Sequence, residues 1–456
     1  MASALERFVR LMYDEGISEP VIRTFGTYYQ QYEQGRSGKI SKRHIHPPSQ
    51  ENLVEYDAVK DKSDKAILRE VVMIKLNGGL GTSMGLSKAK SLLPVKGNMT
   101  FLDIIARQIL TLRAQTSYDI PLLFMDSYNT QDDTLGYLSR YPDLHCPELP
   151  LDFLQNRFPR IRAEDKLPFQ HKDKAQNWNP PGHGDIYTAM SSNGLLDKLI
   201  AKGIRYAFVS NADNLGANLD ISIASYMKGN NIPFLMEVCL RSEVDKKGGH
   251  LSELKDGRLI LREIAQCPDA EAEEFQNIEL YRYFNTNNIW LDLVRLKEEL
   301  DKNQGIMILP LIINPKAVNG TQIVQLETAM GSAISVFEGA KALVVPRSRF
   351  APVKKTTDLL AIWSDAYELN DQYQIVLKRV RKEPPAVTLD ERFYKSISQL
   401  QQRFNLEVPS LVNCTSLNVV GDITFGRDVA CEGNVCIMAD KPADLSNRVC
   451  AGIVTL

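Results

Sequence analysis

The stretch of sequence that decides the fold is residues 71–90, which read VVMIKLNGGLGTSMGLSKAK. A short apolar run at 71–76 leads directly into a segment with four glycines. The run is typical of a buried strand, and the glycines let backbone N–H groups approach an anion closely. A strand that feeds such a loop in an α/β sheet places it at the carboxyl edge, where ligands bind. The pattern predicts a phosphate-binding loop, with Lys88 or Lys90 available to neutralise charge.

Two better-known nucleotide loops fit this segment poorly. A P-loop needs Lys and then Ser or Thr directly after its last glycine, and no glycine of the segment is followed in that way. A dinucleotide-binding loop needs G-x-G-x-x-G, whereas Gly79-x-Gly81 is followed by Gly85, one residue late. The acidic residue at the expected distance, Asp103, lies at a helix start rather than at the end of a second strand. The segment therefore indicates a phosphate site of another class.

The segments around this loop predict an α/β domain. Helices are expected at 100–112, from about 129, and at 327–337, the first opened by a capping box that carries Asp103 instead of Glu. A hairpin with Asp256-Gly257 at its turn is expected over 251–261. Further strands are expected at 121–125, 206–210, 234–240 and 343–345. Strands that alternate with helices predict a Rossmann-like fold with a mixed, mostly parallel sheet.

The two ends of the chain have different patterns. Apolar residues recur at helical spacing from Ala4 to Met12 and predict helices over roughly the first thirty residues, with a polar connector after them. The tail has aliphatic residues spaced by six, which is typical of a parallel β-helix. We expect an N-terminal helical segment at 1–60, a central domain at 61–365 and a β-helix domain at 366–456. The six-residue series are Leu411, Leu417, Ile423, Val429 and Val435, and Val419, Phe425, Cys431 and Ile437.

Composition limits the classes of partner. Lys and Arg total 54 against 56 Asp and Glu, a formal charge of −2, which gives no electrostatic footprint for nucleic acid or an anionic membrane. The seven cysteines form no C-x-x-C pair, which favours free thiols in a reducing compartment. No apolar run reaches the length of a membrane span, and the start lacks a signal-peptide pattern. We expect a soluble, cytoplasmic protein.

The glycine segment resembles the signature of the UDP-glucose pyrophosphorylase family, whose loop reads L-x-G-G-x-G-T-x-M-G and ends in a Lys. The resemblance runs in order from about residue 71 to 360. One departure is Lys88-Ala89-Lys90, where the family usually has Gly-Pro-Lys. The other segments that carry the resemblance are QNRFPR at 155–160, PPGHGD at 180–185, SNADNLG at 210–216, KGG at 247–249, FNTNN at 284–288, QLET at 325–328, PRSRF at 346–350 and PVK at 352–354.

The resemblance implies a nucleotidyltransferase domain followed by a left-handed parallel β-helix. The implied reaction makes UDP-glucose and pyrophosphate from UTP and glucose 1-phosphate, by Mg²⁺-assisted direct displacement at the α-phosphorus. Two polyanions must meet, so positioning and charge neutralisation dominate such a transfer. Self-association through the β-helix is expected in some members of the family, whereas others act as monomers, so the tail is the candidate surface for a homo-oligomer.

The resemblance also implies a set of site residues. Lys90 and Lys354 are the implied catalytic lysines, and Asp213, just past the 206–210 strand, is the implied Mg²⁺ ligand. One carboxylate together with phosphate oxygens is a common way to hold that ion. The implied UTP contacts are Leu76, Asn77, Gly78, Gly79, Lys90, Gln155, Gly182, Asp213 and Lys354. The implied contacts to the sugar 1-phosphate are His183, Asn211, Ala212, Asp213, Gly249, Glu263 and Asn287.

Other functions stay open at this point. A UDP-N-acetylhexosamine or broad UDP-sugar pyrophosphorylase is the nearest, although the N-acetylhexosamine loop usually carries Arg where this chain has Ser83-Met84. A catalytically silent nucleotide-sugar-binding scaffold and a nicotinamide dehydrogenase belong to other classes. The sequence does not decide between glucose and galactose 1-phosphate. The Asn-rich segment at 285–288, which contains Asn287, is otherwise typical of turn chemistry.

Overall fold

The computed structural model describes residues 3–456. Its α-helices are, in chain order, α1 Ala4–Asp14, α2 Glu19–Glu33, α3 Phe101–Thr116, α4 Gln131–Leu138, α5 Ile186–Ser192, α6 Leu195–Ala201, α7 Ile221–Gly229, α8 Ala272–Phe275, α9 Leu293–Lys302, α10 Thr356–Trp363, α11 Glu391–Tyr394 and α12 Ile397–Arg403.

The strands of the described residues are β1 Ile45–His46, β2 Leu53–Glu55, β3 Val71–Leu76, β4 Pro94–Lys96, β5 Met99–Thr100, β6 Leu122–Asp126, β7 Asp152–Leu154, β8 Phe158–Pro159, β9 Ile161–Arg162, β10 Trp178–Asn179, β11 Tyr206–Asn211, β12 Phe234–Leu240, β13 His250–Leu254, β14 Leu259–Arg262, β15 Tyr283–Asp292, β16 Ile312–Val318, β17 Thr321–Glu327, β18 Lys341–Val344, β19 Tyr367–Leu369, β20 Ile375–Leu377, β21 Ala386–Leu389, β22 Ser410–Val420, β23 Ile423–Phe425, β24 Val429–Met438, β25 Ala443–Leu445 and β26 Arg448–Thr455.

The central sheet is mixed and largely parallel, as the alternation of strands and helices predicts. Its strand order is β2-β18-β12-β15-β11-β3-β6-β7. In this row β15 runs antiparallel to both neighbours, whereas the other adjacent pairs are parallel. The hairpin β13–β14, predicted from its Asp-Gly turn, joins the sheet beside β15. Apolar clusters cover both faces, which explains why β3 reads as a nearly continuous apolar run.

The register of β3 and β11 positions the chain segments that follow them. Leu76 at the end of β3 pairs with Asn211 at the end of β11, and also with Met125 on β6. The backbone N–H of Ala212 donates to Leu76 O at 3.0 Å, so the pairing continues to the point where both chains leave the sheet. The glycine loop and the turn after β11 therefore meet at one carboxyl edge.

The start of α3 confirms the predicted capping box with Asp in place of Glu. Thr100 Oγ1 accepts the Asp103 backbone N–H at 3.1 Å, and Asp103 Oδ2 accepts the Thr100 N–H at 2.8 Å. The hydroxyls of Tyr137 and Tyr141 also donate to this carboxylate. With the Thr100 hydroxyl, which donates to Oδ2 at 3.0 Å, four donors satisfy this buried charge. The helix continues beyond its predicted end at 112 to Thr116.

The predicted helix at 327–337 is wrong. Glu327 ends strand β17 by pairing with Ile312 on β16, and only a short 3₁₀ turn follows, at Met330–Ser335. The apolar residues Ile323 and Val324 pair with β9 as well as with β16. Strand pairing therefore takes only the first residue of the predicted helix, and the chain after it forms a 3₁₀ turn instead of an α-helix.

The N-terminal helices pack on the edge of the central region. Phe8 of α1 and Phe25 of α2 lie with ring centroids 5.0 Å apart, and Phe25 meets Phe158 at 5.3 Å. Their shared apolar cluster includes Trp178 and the buried side of β17. The helices predicted for the first thirty residues are confirmed, with a break between Asp14 and Glu19.

The C-terminal strands form two separate parallel sheets, with the orders β21-β22-β24-β26 and β23-β25. A single left-handed β-helix, as predicted, is not confirmed. The residues of both six-residue series are nevertheless buried in one apolar cluster. This cluster also takes in residues of α10 and of β4.

Two further findings concern the described residues as a whole. All seven cysteines fall within them and none is in a disulfide, as their spacing predicts. Across 3–456, no helix is both long enough and apolar enough to cross a membrane.

Candidate active site

A cleft of about 310 Å³ opens at the carboxyl edge of β3, β6 and β11. It brings together most of the residues that the sequence predicts, and three that it does not, Ser91, Met125 and Pro180. Gly249, Glu263, Asn287 and Lys354 lie outside its lining. The predicted residues that line it are Leu76, Asn77, Gly78, Gly79, Lys90, Gln155, Gly182, His183, Asn211, Ala212 and Asp213.

One wall of the cleft is formed where β3, β6 and β7 end. The Asn77 amide turns away from the cleft and donates to Asp126 Oδ1 at 2.8 Å, so only the backbone of Asn77 faces a ligand. A Cβ at Gly78 would lie 2.5 Å from Gln155 Nε2, which shows how closely that amide approaches the loop. Burial raises the pKa of Asp126 to about 6. Asp126 was not among the predicted site residues, although it stands at the end of the apolar run that forms β6.

The Gly182-His183 segment forms a second wall. Gly182 has φ +80°, and a Cβ there would lie 2.4 Å from Thr328 O, so this position requires glycine. The Met330 backbone N–H donates to His183 Nδ1 at 3.0 Å. Burial lowers the pKa of His183 to about 4, so the ring is neutral at pH 7 and carries its proton on Nε2 as a donor.

Asp185, which sequence reasoning missed, supports both of these walls. Its carboxylate accepts the backbone N–H of Asn156 at 2.6 Å and the Asn156 side-chain amide at 3.0 Å. Asp185 is buried, and this burial raises its pKa to about 7. Because Asn156 follows Gln155 directly, the carboxylate ties the segment of His183 to the segment of Gln155.

Lys90 and Asp213 meet across the middle of the cleft as an ion pair. The side chains are 17% and 22% exposed, so the pair is partly shielded from water. Asp213 Oδ1 is buried and has no hydrogen-bond partner among the described residues. This arrangement offers one lysine and one incompletely satisfied carboxylate to an incoming polyphosphate.

The donor set fits Mg²⁺ when phosphate oxygens complete it. Asp213 Oδ1 is a buried acceptor with no partner in the described part of the chain. Among residues 3–456, no group of three His, Cys, Asp or Glu side chains is placed to hold a metal ion. Since Mg²⁺ is commonly held by one or two carboxylates plus substrate phosphates, a single aspartate is enough only with the substrate present.

The predicted sugar contacts Asn211 and Asn287 lie next to each other. Asn287 Nδ2 donates to Asn211 Oδ1 at 2.7 Å. The interpretation of the asparagine run as a turn is wrong, because it belongs to strand β15. A bulge opposite Glu237 and Val238 gives Asn287 a φ of +61° and aims its side chain at Asn211.

Gly249 and Glu263 lie together beyond the cleft lining. The Glu263 carboxylate packs against Gly249, since a Cβ at Gly249 would lie only 2.5 Å from Glu263 Oε2. Burial raises the pKa of Glu263, and the charge of Lys354 acts against that rise. Lys354 is therefore close enough to act on Glu263 electrostatically, although neither residue lines the cleft.

The segment that ends in Lys354 is tied to the turn that carries Asp213. The Val353 backbone N–H donates to Asp213 O at 3.1 Å. The Ala351 N–H donates to Asn214 Oδ1 at 2.9 Å. The Lys354 side chain remains exposed beside this anchored backbone. The structure thus places Lys354 near Asp213 along the chain path but outside the cleft lining.

Buried charges behind the sheet hold this arrangement. Arg349 forms a two-pronged ion pair with Glu237, at 2.8 and 2.6 Å, and Glu237 also accepts from Trp290 Nε1 at 2.9 Å. Lys75 donates to Ser210 Oγ at 2.7 Å from within β3, and burial lowers its pKa to about 7. A charged residue inside an apolar run is the sequence signal that could have found Glu237 and Lys75.

A neighbouring cleft of about 470 Å³ shares Gln155 with the first. It lies between the α1–α2 turn at Gly16–Ser18 and the end of β7. Asp152 and Lys198 are its charged lining residues. It contains neither the glycine loop nor the Lys90–Asp213 pair, so it lacks the groups that a polyphosphate requires.

Comparison with known proteins points in one direction. The family model described as UTP–glucose-1-phosphate uridylyltransferase matches residues 22–432. A UTP–glucose-1-phosphate uridylyltransferase from Hordeum vulgare is 41% identical over 431 residues, which cover 93% of this chain and 90% of that protein. One from Solanum tuberosum is 39% identical over 427 residues, covering 91% and 87%.

Solved structures agree with these relatives. A UDP-glucose phosphorylase from Trypanosoma brucei is 42% identical and has a TM-score of 0.91, with 100% of both chains covered. A variant of the UDP-glucose pyrophosphorylase from Leishmania major, in complex with UDP-glucose, is 40% identical and has a TM-score of 0.93, again with 100% of both chains covered.

Proposed function

The chain belongs to the UTP–glucose-1-phosphate uridylyltransferase family, and we propose that its cleft transfers the uridylyl group of UTP to glucose 1-phosphate. The observation that carries this proposal is the matched ends of β3 and β11. They bring a glycine loop, the Lys90–Asp213 pair and the Gln155 amide to one edge of the sheet. A nucleoside triphosphate needs backbone donors and a cation for its phosphates, and an amide that can hydrogen-bond the edge of its base.

The nucleotide binds between the two walls of the cleft. Gln155 has both an amide donor and an acceptor for the uracil edge. Backbone groups from Leu76 to Gly79 and at Gly182 approach the nucleoside closely, because no side chain intervenes at the glycines. The Asn77 side chain donates to Asp126, and the Gln155 backbone N–H donates to Asp126 O at 2.9 Å, so this part of the site exists before the ligand arrives.

The chemical step is a displacement at phosphorus. A phosphate oxygen of glucose 1-phosphate forms a bond to the α-phosphorus of UTP, and the bond from that phosphorus to the leaving pyrophosphate breaks. The attacking phosphate is already ionised at neutral pH, so no general base is needed. Lys90 exchanges its ion pair with Asp213 for the UTP phosphates, and Lys354 reduces the repulsion between the two polyanions.

Asp213 is the residue that would hold Mg²⁺. The ion, when bound with the phosphates, supplies neutralisation of charge on the phosphate oxygens. When Lys90 turns to the phosphates, both oxygens of Asp213 become free of protein partners, since Oδ1 has none among the described residues. The Asp213 carboxylate thereby becomes available for Mg²⁺ when the nucleotide enters.

The sugar phosphate is proposed to bind beside Asp213. His183 offers a neutral Nε2–H donor, fixed by the Met330 N–H on its other nitrogen. Asn287 and Asn211 present short polar groups to the sugar, and Asn287 Oδ1 has no partner within residues 3–456. Ala212, Gly249 and Glu263 complete the proposed contacts. Acceptors without a partner are what a ligand rich in hydroxyl groups would satisfy.

A pair of adjacent lysines tests the role of Lys354. The Lys354→Ala variant is expected to lower the rate of UDP-glucose formation by about 100-fold, since it removes a charge from the reacting phosphates. Lys355→Ala is the matched control, because Lys355 is also exposed but pairs with Glu391 at 3.3 Å instead. Equal rates for the two variants would remove Lys354 from the mechanism.

A panel of sugar 1-phosphates tests the assigned reaction. The purified chain with UTP and Mg²⁺ is expected to release pyrophosphate with glucose 1-phosphate faster than with galactose or N-acetylglucosamine 1-phosphate. Preference for the N-acetylated sugar would indicate the related pyrophosphorylase class. No pyrophosphate release with any sugar would indicate a silent binding scaffold.

We also propose the chain's organisation into segments at 1–60, 61–365 and 366–456. The two helices α1 and α2 near the start of the chain support the first segment. The two C-terminal parallel sheets are proposed to be faces of one left-handed β-helix, supported by the parallel pairing and the buried six-residue series. An experimental structure in which β22 to β26 wind right-handed would contradict this.

The last proposals concern assembly and location. Val449 and Ile453 are 62% and 75% exposed on β26, at the edge of its sheet, which supports self-association through the tail. Light scattering of Ile453→Lys against the unaltered chain tests this. Seven thiols outside disulfides support a cytoplasmic location.

A further inference from the structure

Lys96, at the end of β4, contacts the C-terminal end of helix α10. Its Nζ donates to three successive backbone carbonyls, those of Ile362 at 2.9 Å, Trp363 at 3.3 Å and Ser364 at 2.6 Å. The carbonyls at a helix C-terminus carry partial negative charge and lack partners within the helix. The last turn of α10 has no basic residue of its own. Lys96 therefore supplies from a distant segment the cation that this helix end requires.

The two elements joined by Lys96 each follow one of the proposed phosphate lysines. Lys90 begins the 3₁₀ turn Lys90–Leu92, which leads directly into β4. Lys354 immediately precedes Lys355, the N-cap of α10. A contact between the end of β4 and the end of α10 thus links the segments on which Lys90 and Lys354 are mounted.

The surrounding interface makes this link stiff. Trp363 Nε1 donates to Pro94 O at 3.1 Å, parallel to the Lys96 contacts. Leu93 and Val95 are buried in the same apolar cluster as the inner face of α10. Burial lowers the pKa of Lys96 to about 8, the charge of Lys378 acts in the same direction, and the charges of Asp365 and Glu368 act against it. The ammonium is therefore charged at neutral pH, although no carboxylate is paired with it among the described residues.

We propose that Lys96 is a positioning residue that fixes the separation of Lys90 and Lys354 across the reacting phosphates. The inference rests on the proposed function of those two lysines. Lys96 does not line the cleft, so it acts through α10 and β4 rather than on the substrate. Two cations stabilise a transferring phosphoryl group only when both are held at the right place, and a misplacement of 1 Å costs about 100-fold in rate.

Three single variants test the proposal at neutral pH. Lys96→Met keeps the length of the side chain but removes the charge, and we expect kcat to fall about 10-fold while the KM for UTP changes by less than about 3-fold. Lys96→Arg retains a cation that reaches the carbonyls, and should restore most of kcat. Lys341→Met is the matched control, because Lys341 Nζ donates to Glu51 O at 2.8 Å and to Asn52 Oδ1 at 3.0 Å, away from the cleft.

The outcomes separate a positioning role from a structural one. Lys96→Met and Lys341→Met are both expected to lower the thermal midpoint, but only the former should lower kcat. Wild-type kcat in a folded Lys96→Met protein would overturn the proposal. If that variant does not fold, Trp363→Phe removes the hydrogen bond to Pro94 at the same interface, and unchanged kcat in Trp363→Phe would overturn the proposal in its place.

A double variant distinguishes this inference from the proposed function. If Lys96 acts through Lys354, Lys96→Met should lower kcat by less than about 2-fold further in a Lys354→Ala background. A full 10-fold loss in that background would overturn the role of Lys96 alone. A Lys354→Ala protein with wild-type kcat would instead overturn the proposed function of Lys354.

Discussion

The two sides of the cleft differ in how completely the protein satisfies its own polar groups. On the base side, formed by Asn77, Gln155 and Gly182, the Asn77 amide donates to the buried Asp126 carboxylate, and the Gln155 backbone N–H donates to Asp126 O at 2.9 Å. On the phosphate side, Lys90 and Asp213 line the cleft and Asn287 lies beyond the lining beside Asn211, and two buried acceptors, Asp213 Oδ1 and Asn287 Oδ1, lack partners among the described residues. A buried acceptor without a hydrogen bond raises the free energy of the folded protein. A ligand that donates to these two acceptors removes that cost, so we expect it to bind on the phosphate side.

This difference separates two kinds of contribution to catalysis. A side that is complete before the ligand arrives contributes mainly to binding, and its loss should raise KM. A side completed only by the substrates contributes to the charged transition state, and its loss should lower kcat. The variants below test whether that division holds.

The largest effect is expected at Asp213. Asp213→Asn keeps the shape of the side chain but removes the carboxylate that pairs with Lys90, and it removes the proposed Mg²⁺ ligand. Loss of several kcal/mol of charge stabilisation corresponds to a fall in kcat of about 10³-fold. Initial rates of UDP-glucose formation over a range of Mg²⁺ concentrations measure it.

The control for this variant is Asp256→Asn at the β13–β14 turn, where the carboxylate is exposed and pairs with Arg258. It should leave kcat unchanged. A fall of less than tenfold for Asp213→Asn, with both proteins folded by circular dichroism, would show that the phosphate side does not depend on this carboxylate.

A smaller effect is expected on the base side. Gln155→Ala removes hydrogen bonds to an uncharged base, each worth about 1 kcal/mol, so the KM for UTP should rise about 10-fold. Because these bonds are the same in the ground and transition states, kcat should change by less than about 3-fold. Steady-state kinetics with varied UTP gives both constants.

Gln131→Ala is the matched control for Gln155→Ala. Gln131 Nε2 donates to Asp152 Oδ2 at 2.7 Å in the neighbouring cleft, and it does not line the active-site cleft. Its KM for UTP should match the unaltered chain. A Gln155→Ala protein with normal KM but reduced kcat would reverse the assigned division between the two sides.

The residues that sequence reasoning found are those next to a recognisable backbone pattern. The glycine loop follows an apolar run, and Asp213 follows another, so the meeting of both at one sheet edge could be predicted. The six-residue series likewise marked which C-terminal side chains are buried. The local sequence pattern was sufficient to predict a feature wherever that feature depends on residues close together in the sequence.

What could not be predicted depends on partners far apart in the chain. Glu237 pairs with Arg349, and Asp185 with Asn156, across sequence separations that carry no periodic signal. Glu327, which was expected to start a helix, ends strand β17 because Ile312 on β16 pairs with it. Asn287 belongs to a bulged strand for the same reason, since its conformation is set opposite Glu237 and Val238.

The smallest effect is expected at Asp126, the exception on the base side, whose Oδ2 is buried without a partner in the described residues. Burial raises its pKa to about 6 from 3.8, so the folded state holds this proton more tightly than the unfolded state. The stability that results is complete below pH 3.8 and is lost as the pH rises through 6. At pH 7 the ionised carboxylate therefore lowers the free energy of unfolding.

Asp126→Asn removes that ionisation while its Oδ1 still accepts from Asn77 Nδ2. The variant should be more stable than the unaltered chain by about 1 kcal/mol at pH 7, and the difference should disappear near pH 4, where both side chains are neutral in the folded state. Urea unfolding at pH 4, 5, 6 and 7 measures this, with Asp256→Asn as a surface control. A constant difference across this range would mean that Asp126 is held by hydrogen bonds strong enough to keep it ionised, and that the base side contains no strained charge.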